Sequence, residues 1–277
     1  MQASSIPRWI AALGLGLMSI LMGATLLEIS IKYAAGSNSL LLQPTEFRKW
    51  WTSGFDTSNS SRYLIDYWQL STLDSLVVAN TPQLVLTLSY YFYNGVLTNM
   101  LAAAEYSSYA VHRRPLRVTF PVRNSGQRST HWLSIPHTYS IPVVLAYMLL
   151  HWMVSQSLYY EQTVPYDLSD RPDRRLEISS LGYAPLPIFL ALLIAAIMLC
   201  VLMGIGCRRV RSQMPLASSN SGAISAACHP PKGEALGTAV VGPVSWGVGV
   251  QWEGRETGHC SFSSLKTEQP CATREYC

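Results

Sequence analysis

Charged side chains are scarce in this chain: they make up 13% of its 277 residues, while hydrophobic residues make up 49%. A soluble domain carries roughly 25% charged residues on average, so this composition disfavours a soluble globular protein. The charges are missing above all from four apolar stretches, each close to the roughly 20 residues that a helix needs to cross a bilayer. The four stretches are 9–27, 82–104, 140–160 and 185–206.

Sequence signatures of enzymes are also missing. The chain contains no G-x-S-x-G, no H-E-x-x-H, no P-loop and no dinucleotide fingerprint. His131 and His137 lack the companion histidines that a membrane di-iron site would need. We therefore expect no enzymatic activity, no catalytic residue and no cofactor.

The six cysteines lack the paired C-x-x-C spacing that is typical of zinc sites. A zinc site at Cys228, His229, His259 and Cys260 is the alternative interpretation. Because the cysteines after the last apolar stretch are expected in the reducing cytosol, we prefer free thiols and predict no metal.

What is present predicts an all-α membrane protein with four transmembrane helices, a short cytoplasmic hairpin and a largely irregular cytoplasmic tail. A cleaved signal peptide is the alternative for the first stretch, but its apolar run exceeds the usual h-region, so we prefer a retained span.

The predicted segments are an amino terminus with the first span (1–27, span 9–27), an extracytoplasmic loop (28–81), the second span (82–104), a basic cytoplasmic loop (105–139), the third span (140–160), an acidic extracytoplasmic loop (161–184), the fourth span (185–206) and the tail (207–277).

The orientation follows from the arginines. Short loops rich in arginine and lysine stay on the cytoplasmic side, and residues 106–139 contain arginines but no acid. Both termini are therefore predicted to be cytoplasmic. The loop arginines are Arg113, Arg114, Arg117, Arg123 and Arg128.

Two stretches outside the spans have local patterns. Residues 115–121 and 127–135 flank the turn sequence Asn124-Ser125-Gly126, which predicts the hairpin, although its prolines limit the ladder. Residues 240–252 alternate in polarity, as short strands do, but glycines interrupt them.

Polar residues inside the second and third spans form a candidate intramembrane cluster. One interpretation is a proton or solute relay; the other is interhelical hydrogen bonding that holds the bundle. We prefer the second, because no acid lies at mid-depth to complete a relay. The cluster comprises Asn94, Thr98, His151, Ser155 and Gln156.

Sites at the membrane surface are predicted from single residues. Asn59 heads an N-x-S sequon in an outer loop and is a candidate for glycosylation. Cys207 follows the last span and precedes two arginines, so it is a candidate for S-palmitoylation, with an unmodified thiol as the preferred alternative.

Glu105, at the inner end of the second span, is expected to meet an interfacial arginine. Candidate contacts for anionic lipid are Arg113, Arg114, Arg117, Arg208 and Arg209.

Small residues recur along the first span at Ala12, Gly16, Ser19 and Gly23. Such a face lets helix backbones approach closely, so we expect it to pack against another helix or to support self-association. The expected partners are thus the lipid bilayer and other helices, and no nucleic acid.

Several strings carry a resemblance to a known family. They are Ala79-Asn80-Thr81-Pro82-Gln83-Leu84, Ser89-Tyr90-Tyr91-Phe92-Tyr93-Asn94, Glu105-Tyr106-Ser107, Pro115-Leu116-Arg117-Val118, Gln127-Arg128-Ser129-Thr130 and His151-Trp152-Met153-Val154-Ser155-Gln156-Ser157.

Over roughly residues 60–265 the chain resembles the carboxy-terminal half of a fungal family of large, uncharacterised multi-pass membrane proteins that carry an amino-terminal domain of unknown function. The resemblance implies an integral protein of a fungal plasma membrane or endomembrane. It transfers no substrate or catalytic residue. We expect a structural or interaction role; the alternative is a transporter or channel subunit or fragment.

The orientation can be tested with single cysteines in sealed vesicles. A cysteine at position 125 should resist an impermeant thiol reagent added from outside, whereas one at position 170 should react, because the basic loop is predicted inside and the acidic loop outside. The reverse labelling pattern would contradict the predicted orientation.

Overall fold

In the computed structural model, the chain forms two compact units, each assembled from distant segments. The span unit comprises Trp9–Tyr93 and Val143–Leu202, and the tail unit comprises Met1–Arg8, Asn94–Pro142 and Met203–Cys277. The residues that the structure describes are 3–35, 71–129, 135–166, 172, 178–208, 212, 214, 221–229, 234–235, 237–249, 259–271, 273 and 276.

Four long helices dominate the described residues: α1 (Ile6–Ala35), α2 (Thr72–Val111), α3 (His137–Ser157) and α4 (Pro185–Gly206). Three of them are long and apolar enough to cross a membrane, namely α1 over Ile6–Ser30, α3 and α4. By length and composition, the predicted membrane association is therefore supported.

The helix α2 contains the predicted second span but differs in composition. It is 40 residues long, which corresponds to about 60 Å at 1.5 Å per residue. It is not among the helices apolar enough to count as a span, because amides such as Asn94 and Asn99 and many hydroxyl groups dilute its apolar residues. Three of the four predicted spans therefore lie in helices that are long and apolar enough to cross a membrane, and the second span, in α2, does not.

The predicted close packing of α1 is present within the span unit. A Cβ atom added at Gly16 would lie 2.7 Å from Cδ2 of Leu199, and one added at Gly23 would lie 2.9 Å from Cδ2 of Leu192. Two leucines of α4 therefore rest directly on the backbone of α1, as small-residue faces allow. In this structure the helix that packs on this face is α4 of the same chain; self-association of the chain stays a prediction.

Tyrosines join the other helices of the span unit. The buried hydroxyl of Tyr93 donates a hydrogen bond of 3.2 Å to the backbone oxygen of Met198. The rings of Tyr90 and Tyr93 meet the ring of Tyr147 edge-on, with centroids 4.6 and 5.6 Å apart. These contacts tie α2 to both α3 and α4.

The all-α prediction is wrong at the end of α3. The helix ends at Ser157, and residues 158–160 of the predicted third span begin a strand, β4 (Leu158–Thr163), which pairs antiparallel with β5 (Ile178–Tyr183). Tyrosine and threonine favour strands. Tyr159 lies opposite Gly182, and its ring occupies the space that a Cβ atom at position 182 would need. The predicted acidic loop therefore starts and ends in a β-ribbon.

The described residues of the tail, which was predicted to be largely irregular, include regular elements. The tail contains α5 (Ser221–Cys228), α6 (Thr238–Val241) and the strands β6 (Pro243–Gly249), β7 (Cys260–Ser263) and β8 (Thr267–Glu268). Both β7 and β8 pair antiparallel with β6. The alternating polarity of this stretch outweighs its glycines, because Val244 and Trp246 bury their side chains on one face of β6.

The predicted hairpin in the basic loop is replaced by another arrangement. The short strands β2 (Arg117–Val118) and β3 (Arg128–Ser129) pair in parallel. The strand β1 (Arg114–Pro115) instead pairs antiparallel with β6 of the tail. Prolines at positions 115 and 121 have no N–H to donate, so a continuous antiparallel ladder between the predicted arms would lack hydrogen bonds.

The core of the tail unit combines the end of α2 with the tail. Tyr109 of α2, Met214, Val244 and Trp246 are buried together, and Phe262 packs against them. The ring of Phe262 meets that of Tyr109 edge-on at 5.4 Å. The basic loop, the end of α2 and the tail thus fold as one body.

Replacing Gly16 and Gly23 together with isoleucine should destabilise the span unit by about 1–3 kcal/mol, the usual cost of overpacking, because each side chain would displace a leucine of α4. Thermal unfolding in detergent would measure the loss. Gly14→Ile is the matched control, since nothing lies within 4 Å of a Cβ atom there. Equal effects of the double mutant and the control would contradict the packing.

Candidate functional site: a basic groove

The carboxylate of Glu105 organises the arginines of the basic loop. Nε of Arg117 donates to both carboxylate oxygens at 2.9 and 3.0 Å, and its Nη2 lies 2.8 Å from Oε2. Arg128 approaches Oε1 at 3.5 Å. The expected pairing of Glu105 with an arginine is confirmed, whereas contact of Arg117 with anionic lipid stays a prediction.

A groove of about 640 Å³ lies in the tail unit. One wall is formed by Arg113 and the loop 122–126, and the other by Thr238, the stretch 241–243 and Ser264. Arg113 and Arg123 are both exposed to solvent. The described lining residues include two arginines and no acid, while the carboxylate of Glu234 contacts the lining residue Ser264 from behind.

Hydrogen bonds fix the two walls to each other. Nε of Arg113 donates to the backbone oxygen of Pro243 at 2.9 Å. Nε2 of Gln127 donates to the backbone oxygen of Val240 at 2.7 Å. Strand β1 supports the same junction, since it pairs with the first residues of β6. The groove is therefore a feature of the folded unit and not of a single loop.

The conformation of loop 122–126 is held locally. The backbone N–H of Val122 donates to Oε1 of Gln127 at 2.7 Å, and the hydroxyl of Ser125 donates to the backbone oxygen of Val122 at 2.6 Å. Asn124 adopts a φ of 65°, a left-handed conformation that asparagine tolerates better than most residues. The sequence Asn124-Ser125-Gly126 lies in a turn, as predicted, but this turn does not connect two antiparallel strands of a hairpin.

Glu234 supports the tail side of the groove. Its carboxylate accepts hydrogen bonds from the hydroxyl and the backbone N–H of Ser264 and from the hydroxyl of Ser263. Partial burial raises the pKa of Glu234, but hydrogen bonds from Ser264, Ser263 and Thr238 outweigh it and hold the pKa below its usual value. Glu234 therefore orients the hydroxyl groups that line this wall.

The structure separates the arginines predicted to meet anionic lipid. Arg113 lines the groove, whereas Arg114 is exposed in β1 outside it. Arg208 lies 3.5 Å from the hydroxyl of Tyr139, and Arg209 lies outside the described residues. Arg123, a loop arginine that was not among the candidate lipid contacts, also lines the groove; the turn sequence that follows it was the available signal.

The intramembrane polar residues are divided between the two units. Asn94 and Thr98 belong to the tail unit, where the hydroxyl of Thr98 donates to the backbone oxygen of Asn94 at 2.7 Å. His151, Ser155 and Gln156 belong to the span unit and are partly buried. Their predicted hydrogen bonding across helices remains a prediction.

A small cavity of about 60 Å³ lies among the helices of the span unit. Its lining is apolar apart from two hydroxyl groups, and both bond within their own helices. Ser19 donates to the backbone oxygen of Leu15 at 2.8 Å, and Ser157 donates to that of Met153 at 2.7 Å. The cavity therefore offers a solute few polar partners.

The remaining predicted sites are isolated residues. Cys207 is an exposed free thiol directly after α4, which keeps palmitoylation a prediction. Asn59 lies outside the described residues. Within the described part of the chain, no three His, Cys, Asp or Glu side chains come together as metal ligands. Nδ1 of His229, one of the residues of the alternative zinc site, lies 2.7 Å from the backbone oxygen of Ser225.

Comparison with known proteins identifies one family. A family model described as "Domain of unknown function (DUF8419)" matches residues 1–257. The match includes the residues before position 60, which the resemblance given by the sequence strings did not cover. The searches of curated proteins and of solved structures returned no match.

Replacing Glu105 with glutamine should destabilise the tail unit by about 1–3 kcal/mol, because it leaves the largely buried guanidinium of Arg117 without a carboxylate. Chemical denaturation in detergent, with limited proteolysis of the tail as the readout, would measure the change. Arg128→Gln is the matched control: its side chain is 49% exposed, so it should cost less than about 1 kcal/mol. A larger loss in the control would contradict this ranking.

Proposed function

Since the chain belongs to the DUF8419 family, whose description names no activity, we propose its function from the geometry: it is a multi-pass integral membrane protein with a structural or interaction role. In this proposal α1, α2, α3 and α4 all cross the membrane. Both termini lie in the cytoplasm, and the host membrane is a plasma membrane or endomembrane, of fungal origin according to the resemblance.

The single observation that carries this proposal is the joint folding of the basic loop with the tail. Arg114 and Pro115 pair with β6, and Val244 and Trp246 bury the ring of Tyr109. Two segments predicted on the same side of the membrane thus build one body with a shaped, charged surface. A protein that holds or recruits partners at a membrane needs such a surface.

The described polar groups give transport less support. The cavity in the span unit is apolar, and its two hydroxyl groups are satisfied within their own helices. A relay also requires an ionisable partner for His151 at mid-depth, and the spans contain no acid. Hydrogen bonding that stabilises the bundle accounts for the polar residues of the spans with fewer assumptions.

Single cysteines at positions 94, 98 and 151 in a cysteine-free chain would distinguish the two roles. We expect these cysteines to react slowly with a small hydrophilic thiol reagent, because a packed bundle excludes water from them. Asn124→Cys, which is exposed in the groove loop, is the reactive control. Gly14→Cys, which has open space around it, gives the rate for a thiol within a membrane span.

Fast labelling at positions 94, 98 and 151 would overturn the structural role in favour of a transporter or channel subunit. That result would indicate a water-filled path lined by the polar cluster.

A further inference from the structure

We propose that the basic groove binds a phosphate group, carried either by an anionic lipid headgroup or by a soluble phosphorylated molecule. The proposal goes beyond the structural role, because it assigns the chemistry of a ligand. It concerns the tail unit alone, so its outcome does not depend on the number of spans.

Two arginines supply the charge. Arg113 and Arg123 are exposed and line the same groove, and the described lining residues include no acid. A guanidinium carries five N–H donors, and the described contacts of Arg113 use only its Nε–H. Planar guanidinium groups match the oxygens of a phosphate and bind them through paired, charge-assisted hydrogen bonds.

Arg113 and Arg123 differ from Arg117 and Arg128 in being free of a described acidic partner, and from the exposed Arg114 in lining the groove. Arg117 and Arg128 share the carboxylate of Glu105, which neutralises part of their charge. No described acid or hydrogen-bond acceptor engages Arg123. Folding therefore places two arginines without a described acidic partner on the lining of the groove.

The groove is formed before a ligand arrives. Its walls are joined by the bonds from Arg113 to Pro243 and from Gln127 to Val240, and Gln127 also holds the N–H of Val122. A site that is already ordered loses less conformational entropy on binding. Its volume of about 640 Å³ lies within the range of roughly 300–1,000 Å³ that is usual for small-molecule sites.

The hydroxyl groups of the groove are already engaged. Ser125 donates to the backbone oxygen of Val122, Thr238 to that of Ala235, and Ser264 to the carboxylate of Glu234. The free donors for an anionic group are therefore the N–H groups of the two arginines, which favour an anion over an apolar ligand.

The test uses the full chain in detergent and in bilayer nanodiscs. Inorganic phosphate is titrated into the detergent sample by calorimetry, and nanodiscs of phosphatidylcholine with or without phosphatidic acid provide the lipid arm, with thermal stabilisation as the readout.

Arg123→Gln should weaken binding about tenfold or more, the effect of losing one charged hydrogen bond. Arg114→Gln, a neighbouring exposed arginine outside the groove, is the matched control and should bind like the wild type.

Each outcome decides the proposal. Binding of inorganic phosphate that Arg123→Gln weakens and Arg114→Gln does not would support a soluble phosphorylated ligand. Stabilisation by phosphatidic acid alone, with the same dependence on Arg123, would support a lipid headgroup. No binding in either arm, or equal losses in the two variants, would overturn the proposal. Fast labelling of cysteines in the spans would leave it standing, so the two proposals fail separately.

Discussion

The packing of one tail strand against the end of α2 is the interaction on which the tail unit depends. Val244 is fully buried, and Trp246 and Tyr109 are 5% and 4% exposed. Burying an aromatic or aliphatic side chain of this size contributes about 1.5–3 kcal/mol. When β6 packs on α2, β1 can pair with β6, and Pro243 at the start of β6 lies within hydrogen-bonding distance of Arg113. Without that packing, the basic loop has only two-residue strands of its own.

Electrostatics then divides the arginines into two classes. Glu105, at the end of α2, holds Arg117 in a largely buried, bidentate pair and draws Arg128 toward it. Removing such a carboxylate is costly because it would leave a guanidinium without compensation in a partly dehydrated place. The positive-inside pattern and the groove thus come from the same set of residues: some arginines stabilise the fold, and Arg113 and Arg123 remain for a ligand.

The span unit follows a different rule. Lipid tails are as apolar as leucine, so helices in a bilayer associate through close packing and internal hydrogen bonds rather than through burial from water. Gly16 and Gly23 admit the leucines of α4, and the hydroxyl of Tyr93 reaches the backbone of Met198. Serine hydroxyls at the cavity bond within their own helices. The described contacts of this unit are thus close packing between helices and hydrogen bonds to backbone oxygens.

The sequence by itself determined the elements whose hydrogen bonds are local. A helix closes its bonds four residues apart, so charge-free stretches were enough to place α1, α3 and α4, and the spacing of small residues predicted the close packing of α1. Proximity along the chain also predicted a partner for Glu105. Tertiary structure alone decided the sheet and the groove, because their bonds join residues as distant as Arg113 and Pro243, which are 130 positions apart. Local patterns in the loop and the tail suggested strands, but they could not name each strand's partner, and the groove exists only where those partners meet.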